Sequence, residues 1–273
     1  MTVAVRLRAP ASTANLGPGF DCAAVALDLW NELEVSESDG DVDRDHLGVR
    51  AFARIAPVEG KCFSFTDRIP RERGLGSSAA VIALGLLAAS ILSANERSPE
   101  RLLADGVELE GHPDNLAAAL AGGVCLTWSG RIARVADSTP AVPIALVPEA
   151  TVSTSAARDA LPPRISHADA SYTATRAALL GAALASDSEE LFASALDDRL
   201  HEPYRAVNAP LLQAVRESLP DGALGATLSG SGPTVIVWAR PHAARGCADE
   251  LSDRYPDVEV LTLAVSPKGA HAW

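Results

Sequence analysis

Aromatic residues are scarce, only 4% of the 273-residue chain, so small aliphatic side chains must fill most of any core. Basic residues are in deficit: 23 lysines and arginines face 35 aspartates and glutamates, a formal net charge of −12. That balance argues against a nucleic-acid scavenger or a protein of anionic membrane surfaces, since both need basic faces. It leaves room for an anionic ligand held locally by helix N-termini and arginines. Long hydrophobic runs are missing too. The longest, Ala79 to Leu92, is too short to span a bilayer comfortably and contains Gly85 and Ser90, so it reads as a buried helix. Met1 to Gly17 shows no secretory pattern. The four cysteines (Cys22, Cys62, Cys125, Cys247) form no CxxC pair and no zinc set, and are expected to be reduced thiols of a cytoplasmic protein. What remains, 48% hydrophobic and 21% charged, is an ordinary globular composition sufficient for one large or two medium domains.

Alternation predicts a strand over Thr2 to Arg8, a glycine- and proline-bearing loop over Ala9 to Asp21, and a strand-like run over Val25 to Val35. An exposed acidic turn is expected over Ser36 to Asp45, a short helix over Leu47 to Ile55 and a strand over Lys61 to Ile69. A second glycine loop, Pro70 to Ser78, runs into the apolar helix from Ala79. Ser98 and Pro99 are a cap and first position for a helix reaching about Glu110. An alanine-rich helix and the strand Val124 to Trp128 follow. Beyond the polar stretch Asp137 to Pro140, strands are expected at Val142 to Val147, Gly225 to Ser229, Thr234 to Trp238 and Val258 to Val265. The helices expected there cover Ser153 to Ala160, Ala168 to Ala185, Glu189 to Arg199, Ala209 to Leu219 and His242 to Arg254. Strands and helices mixed without strict alternation suggest an α+β chain in two domains.

Three glycine loops stand out. Arg73-Gly74-Leu75-Gly76-Ser77-Ser78-Ala79-Ala80 lies between a strand and an apolar helix, where turning glycines converge backbone N–H groups and the helix dipole favours a phosphate. Ser77 or Ser78 offers a hydroxyl for a magnesium ion. The loop is neither a Walker A motif nor a dinucleotide fingerprint; alone, it is equally well a tight turn ahead of a helix. It is accompanied by Pro10 to Asp21 (PASTANLGPGFD) after the first strand and by Ser229-Gly230-Ser231-Gly232-Pro233 in the second half.

In this order and spacing the three motifs resemble the GHMP kinase superfamily of ATP-dependent small-molecule kinases, over nearly the whole chain. The resemblance implies a two-domain α+β fold. An N-terminal domain like ribosomal protein S5 would cover residues 1–138, and a ferredoxin-like C-terminal domain residues 139–273. It implies ATP and Mg²⁺ as cofactors. ATP would be held by Arg73, Gly74, Leu75, Gly76, Ser77, Ser78 and Ala79, with Gly230, Ser231 and Gly232. Within the superfamily, Ser12 to Asp21, ELEGHPDN (Glu108 to Asn115), STSAARDALP (Ser153 to Pro162) and HEPYR (His201 to Arg205) are similar to the homoserine kinases. That similarity implies L-homoserine as substrate, O-phospho-L-homoserine as product on the route to threonine, and a homodimer, for which the sequence shows no interface.

Homoserine is a zwitterion with a primary alcohol, so its pocket needs cations, acceptors and a route to the γ-phosphate. By resemblance Arg158 and Arg205 hold the carboxylate, a task that suits a guanidinium fork. Asp21 accepts from the ammonium, Asn15 holds the reacting hydroxyl, His112 contacts polar groups of the amino acid, and Thr154 and Arg158 stand near the transferred phosphoryl group. Each has a plainer alternative: a helix cap for Asp21, a solvated helix face for Arg158, a structural histidine for His112. Ser78 and Glu110 are the expected magnesium ligands, with Glu108 a competitor on another helix face. Relatives insert several residues where only Gly111 separates Glu110 from His112, which leaves that choice open. No dedicated base is expected: Asp159 should face elsewhere, with the γ-phosphate itself taking the proton late. A mevalonate-type kinase would need an aspartate base and an apolar pocket; a non-catalytic sensor of the same fold would show a damaged glycine loop.

Overall fold

The structure is a computed structural model and describes residues 3–38 and 42–273; the middle of the expected acidic turn lies outside them. A six-stranded antiparallel sheet carries the first half. Strands β1 (Val3–Asn15), β2 (Gly19–Glu37), β4 (Val124–Trp128) and β5 (Arg131–Ala136) lie in sequence order, with β3 (Lys61–Thr66) pairing to β2 and the short β10 (His271–Ala272) to the outer edge of β1. Helices α1 (Leu47–Ala53), α2 (Ser77–Leu92), α3 (Pro99–Glu110) and α4 (Asp114–Ala121) accompany it. The apolar run predicted as a buried helix is α2, which buries twelve of its sixteen residues.

The segment expected as a loop, Ala9 to Asp21, is mostly ladder. Strand β1 continues to Asn15, with Ser12 opposite Ala26 and Thr13 opposite Val25, and only Leu16 to Pro18 turn. Small polar side chains that look loop-like are tolerated here because Ser12 and Thr13 are fully buried with hydrogen-bonded hydroxyls.

The second sheet contains β6 (Val142–Pro148), β7 (Ala223–Leu228), β8 (Val235–Ala239) and β9 (Val258–Thr262) in the antiparallel order β7-β8-β6-β9. Helices α5 (Thr154–Asp159), α6 (His167–Ser186), α7 (Glu189–Ala195), α8 (Glu202–Arg205) and α9 (Pro210–Glu217) fill the connection from β6 to β7, while α10 (Ala244–Arg254) joins β8 to β9. This is the split β-α-β of a ferredoxin-like domain, with its first crossover expanded into several helices. The expected helix Glu189 to Arg199 stops at Ala195, because Asp198 turns its carboxylate onto the backbone N–H groups of His201 and Glu202 and starts α8 instead. One core cluster runs from α2 and the first sheet through α6 and α7 to Trp238, on whose indole Phe192 packs edge-on at 5.2 Å. The end of the chain crosses back: Ser266 N–H donates to Ala26, Ala270 N–H to Ala119 and Trp273 N–H to Arg6.

Candidate active site

The three glycine motifs meet at the junction of the two sheets. Ser12 N–H donates to the Leu75 carbonyl at 3.0 Å, and Gly230 N–H to the Ala14 carbonyl at 3.1 Å. The Ser229 hydroxyl lies 2.6 Å from the Gly74 carbonyl and 2.9 Å from Thr13 Oγ1. Asn15 Nδ2 donates to the Gly230 carbonyl at 3.0 Å across 215 residues of sequence. Side chains are excluded at two points. A Cβ on Gly74 would stand 2.2 Å from the Ser229 carbonyl and one on Gly76 2.1 Å from Ser12 Oγ, and both backbones have positive φ.

Gly76 is the N-cap of α2 and so contributes no side-chain acceptor. By contrast α3, α5, α6 and α7 each begin with a serine whose hydroxyl accepts a first-turn N–H. The first intrahelical bond of α2 is Ala80 N–H to the Gly76 carbonyl. The amides of Ser77, Ser78 and Ala79 therefore open this helix uncapped, the arrangement that receives a phosphate.

A cavity of about 560 Å³ lies over this helix end. Its wall includes Gly74, Leu75, Gly76, Ser77, Ser78, Gly230 and Ser231, the polar side chains Asn15, Asp21, His112, Asp114, Asn115, Thr154, Arg158 and Arg205, and a less polar group of His46, Leu47, Pro70 and Val81. Three predicted nucleotide residues stand outside this wall. The Arg73 guanidinium turns away to the Glu149 carbonyl at 2.9 Å, the Ala79 side chain is buried in the core and reaches the site only through its backbone, and Gly232, within the third loop, faces the Leu228 side chain.

Arg158, from the one and a half turns of α5, donates through Nη2 to both carboxylate oxygens of Asp21 at 2.8 and 3.0 Å. The backbone N–H of Asp21 is held by Asn15 Oδ1 at 3.1 Å, and both residues have positive φ. Arg205 is 4% exposed; its Nη1 donates to the Gly230 carbonyl at 2.9 Å and its Nε approaches the Ala157 carbonyl at 3.4 Å. Phe20 lies beneath both guanidinium groups, 5.5 and 5.1 Å from its centroid. Burial, and then the Arg158 charge, push His112 below the usual imidazole range.

Ser78 Oγ donates to Glu110 Oε2 at 2.7 Å. Burial drives the Glu110 carboxyl up to about 7, with the Asp114 charge adding to the rise and the Ser78 hydroxyl opposing it. Glu108 points out to Arg54 and is 73% exposed, so it is Glu110 that meets the second glycine loop. A half-buried carboxyl beside a hydroxyl at the uncapped end of a helix is an oxygen donor set that fits a magnesium ion. Asp159 is exposed at the end of α5, off the cavity wall.

Asp114 was missed in the sequence. It is 3% exposed, lines the cavity, accepts from the Asn115 N–H at 2.7 Å, and is raised by burial to about 6. As the first residue of α4 it looks like an ordinary helix-start aspartate, which hid it. Asn115, whose Oδ1 accepts from Ser12 Oγ at 2.8 Å, was missed as well.

Residues 46–123 match the family model of the GHMP kinases N terminal domain and residues 179–257 that of the GHMP kinases C terminal domain. A mevalonate kinase structure shares the fold at a TM-score of 0.74 and 15% identity. With three interlocked glycine loops around an uncapped helix end, the molecule is a two-domain α+β kinase of the GHMP class. A homoserine kinase from a Synechococcus species is 40% identical over 97% of this chain and 96% of its own. One from Desulfitobacterium hafniense is 36% identical over 97% and 99%. The crystal structure of homoserine kinase from Cytophaga hutchinsonii superposes at a TM-score of 0.89 with 25% identity, covering 100% of this chain and 98% of that one. The chain belongs to the homoserine kinase family.

Proposed function

We propose that this cleft transfers the γ-phosphoryl group of ATP to the side-chain hydroxyl of L-homoserine, giving O-phospho-L-homoserine. The observation that carries the substrate is that two guanidinium groups, Asp21 and Asn15 line one cavity beside an uncapped helix end. Arg205 and Arg158 take the carboxylate, Asp21 the ammonium, and Asn15 and Thr154 the alcohol. The amides opening α2 and the Gly230–Ser231 loop hold the phosphates, leaving His46, Leu47, Pro70 and Val81 for the base.

Phosphoryl transfer asks mainly for in-line positioning and charge neutralisation. Preorganised N–H groups supply both without reorganising during the reaction. Ser78 and Glu110 would hold the magnesium ion, which neutralises charge on the β- and γ-phosphates when bound. Among the described residues no group of three or more acidic, histidine or cysteine side chains could cage a metal, and magnesium commonly takes one or two protein ligands plus phosphate. With Asp159 off the cavity, the transferring phosphate accepts the alcohol proton. Residues 1–138 and 139–273 serve as the two lobes, the tail after Val265 excepted. Among the described residues no helix is long and apolar enough to cross a membrane, and four unpaired cysteines support a cytoplasmic enzyme.

The test is ADP release with Mg·ATP against L-homoserine, mevalonate, L-serine and L-threonine, beside Arg205→Ala. Turnover confined to homoserine, with its KM raised on the order of 100-fold in the variant, is expected from loss of a charge-assisted clamp. Turnover on mevalonate alone would discard the zwitterion pocket.

A further inference from the structure

Behind the clamp sits a second histidine that direct substrate contact leaves unexplained. His201 is fully buried, its ring stacked on Phe20 at 5.0 Å. Nε2 lies 2.7 Å from the Gly17 carbonyl, inside the turn that leads to Asp21. A carbonyl can only accept, so Nε2 carries the proton and Nδ1 presents a lone pair. That lone pair faces Arg205 Nη1 at 3.3 Å. We propose that His201 is a positioning residue: it ties the turn ahead of Asp21 to Arg205 and so orients the guanidinium toward the substrate carboxylate. The proposal rests on the homoserine reading above.

The geometry gives Arg205 a fixed division of donors. Nη1 is committed to His201 and to the Gly230 carbonyl, and Nε approaches Ala157. Among the described residues Nη2 has no hydrogen-bond partner, so it is the amine left for a ligand, on a residue that lines the cavity. The histidine is itself held. Asp198 Oδ2 accepts from the His201 and Glu202 backbone N–H groups at 2.7 and 2.9 Å, while standing 3.6 Å from Nε2, beyond hydrogen-bond range. A second ring proton would set N–H against N–H at Arg205. Burial holds His201 down to about 4, with Arg205 pushing the same way and Asp198 and Asp21 opposing. Both the anionic and the cationic site residues are thus positioned through one imidazole.

The experiment uses the full chain with His201→Gln and His201→Asn, each also in the Arg205→Ala background. A glutamine amide reaches the Gly17 carbonyl but offers no acceptor at the Nδ1 position; an asparagine oxygen does the reverse. His201→Gln is expected to lower kcat/KM for homoserine roughly tenfold, the value of about one hydrogen bond. That loss should fall on homoserine KM, leaving ATP KM unchanged, with His201→Asn recovering most of it. In the Arg205→Ala background the glutamine change should add less than about threefold, the signature of residues acting as one unit. An unaltered homoserine KM in His201→Gln, an equal loss without Arg205, or a parallel rise in ATP KM would overturn the proposal. So would failure of every His201 variant to fold, which would make it a packing residue. Absence of wild-type turnover on homoserine is a separate outcome that fells the functional reading and the proposal with it.

Discussion

Glu108 and Glu110 stand two positions apart on one helix, and the sequence favours Glu110 as metal ligand with Glu108 as its competitor. The structure separates them: Glu110 accepts from Ser78 while Glu108 pairs with Arg54 in solvent. Glu110→Ala should therefore raise the magnesium concentration for half-maximal activity by about tenfold or more, whereas Glu108→Ala should leave it unchanged in the same titration. His201 makes a prediction of a different kind. Burial holds its folded pKa down to about 4, below the ordinary imidazole value of 6.5, so the unfolded chain binds the extra proton first. The stability held by the neutral ring is full above about pH 6.5 and is lost as pH falls toward 4. Denaturant midpoints measured across that range should fall more steeply for the wild type than for His201→Gln. At this scale the resemblance marked Asn15, Asp21, His112, Arg158 and Arg205, all of which line one cavity. Asp114 was invisible because a helix-opening aspartate has an ordinary explanation, and His201 because its partners lie 184 residues away at Gly17 and one turn on at Arg205.

Elements were legible in proportion to their length and periodicity. The long apolar helix α2, the serine-capped α3 and the strands of the second sheet fall close to where pattern and caps predict them. The four-residue α8 and two-residue β10 carry no periodic signal, and β1 hides its second half behind small polar residues that are buried only because other loops bond to them. Helix α8 shows how much a short element can depend on one side chain. Buried Glu202 accepts the Leu228 N–H at 2.8 Å and pairs with Arg216. Glu202→Ala leaves the Leu228 N–H without its acceptor, while Arg216 keeps the Ala226 carbonyl, and should cost about 1–3 kcal/mol by urea unfolding. Glu202→Gln, keeping an acceptor for Leu228, should cost less. Burial raises the Glu202 carboxyl from its ordinary value of 4.5 to about 7. The wild type should therefore gain on the Gln variant as pH is lowered from about 7 to about 4.5, because the folded state then takes up the proton first.

The whole molecule is closed by its last residues. The tail after Val265 gives backbone bonds to β1, β2 and α4, and Gly123 N–H donates to the Ser266 carbonyl. Deleting residues 266–273 should lower the melting temperature on the order of 10 °C, from several lost hydrogen bonds and an uncovered edge strand, although none of these residues lines the cavity. Calorimetry on the truncated chain checks this; a shift within about 2 °C would show the tail to be ornamental. Across the same molecule, with its net charge of −12, Arg158 and Asp21 already satisfy one another before any substrate arrives. Their pair is partly exposed, at 41% and 35%, and so is worth at most about 1 kcal/mol. Under the roles proposed for these two residues, homoserine binding is an exchange of partners: the ammonium takes Arg158's place at Asp21 while the carboxylate takes Asp21's place at Arg158. No net charge enters the cleft. On the same proposal, a hydroxy acid without the amine, or an amino alcohol without the acid, would break the resident pair and leave one half single, so the latch would sort zwitterions from singly charged alcohols.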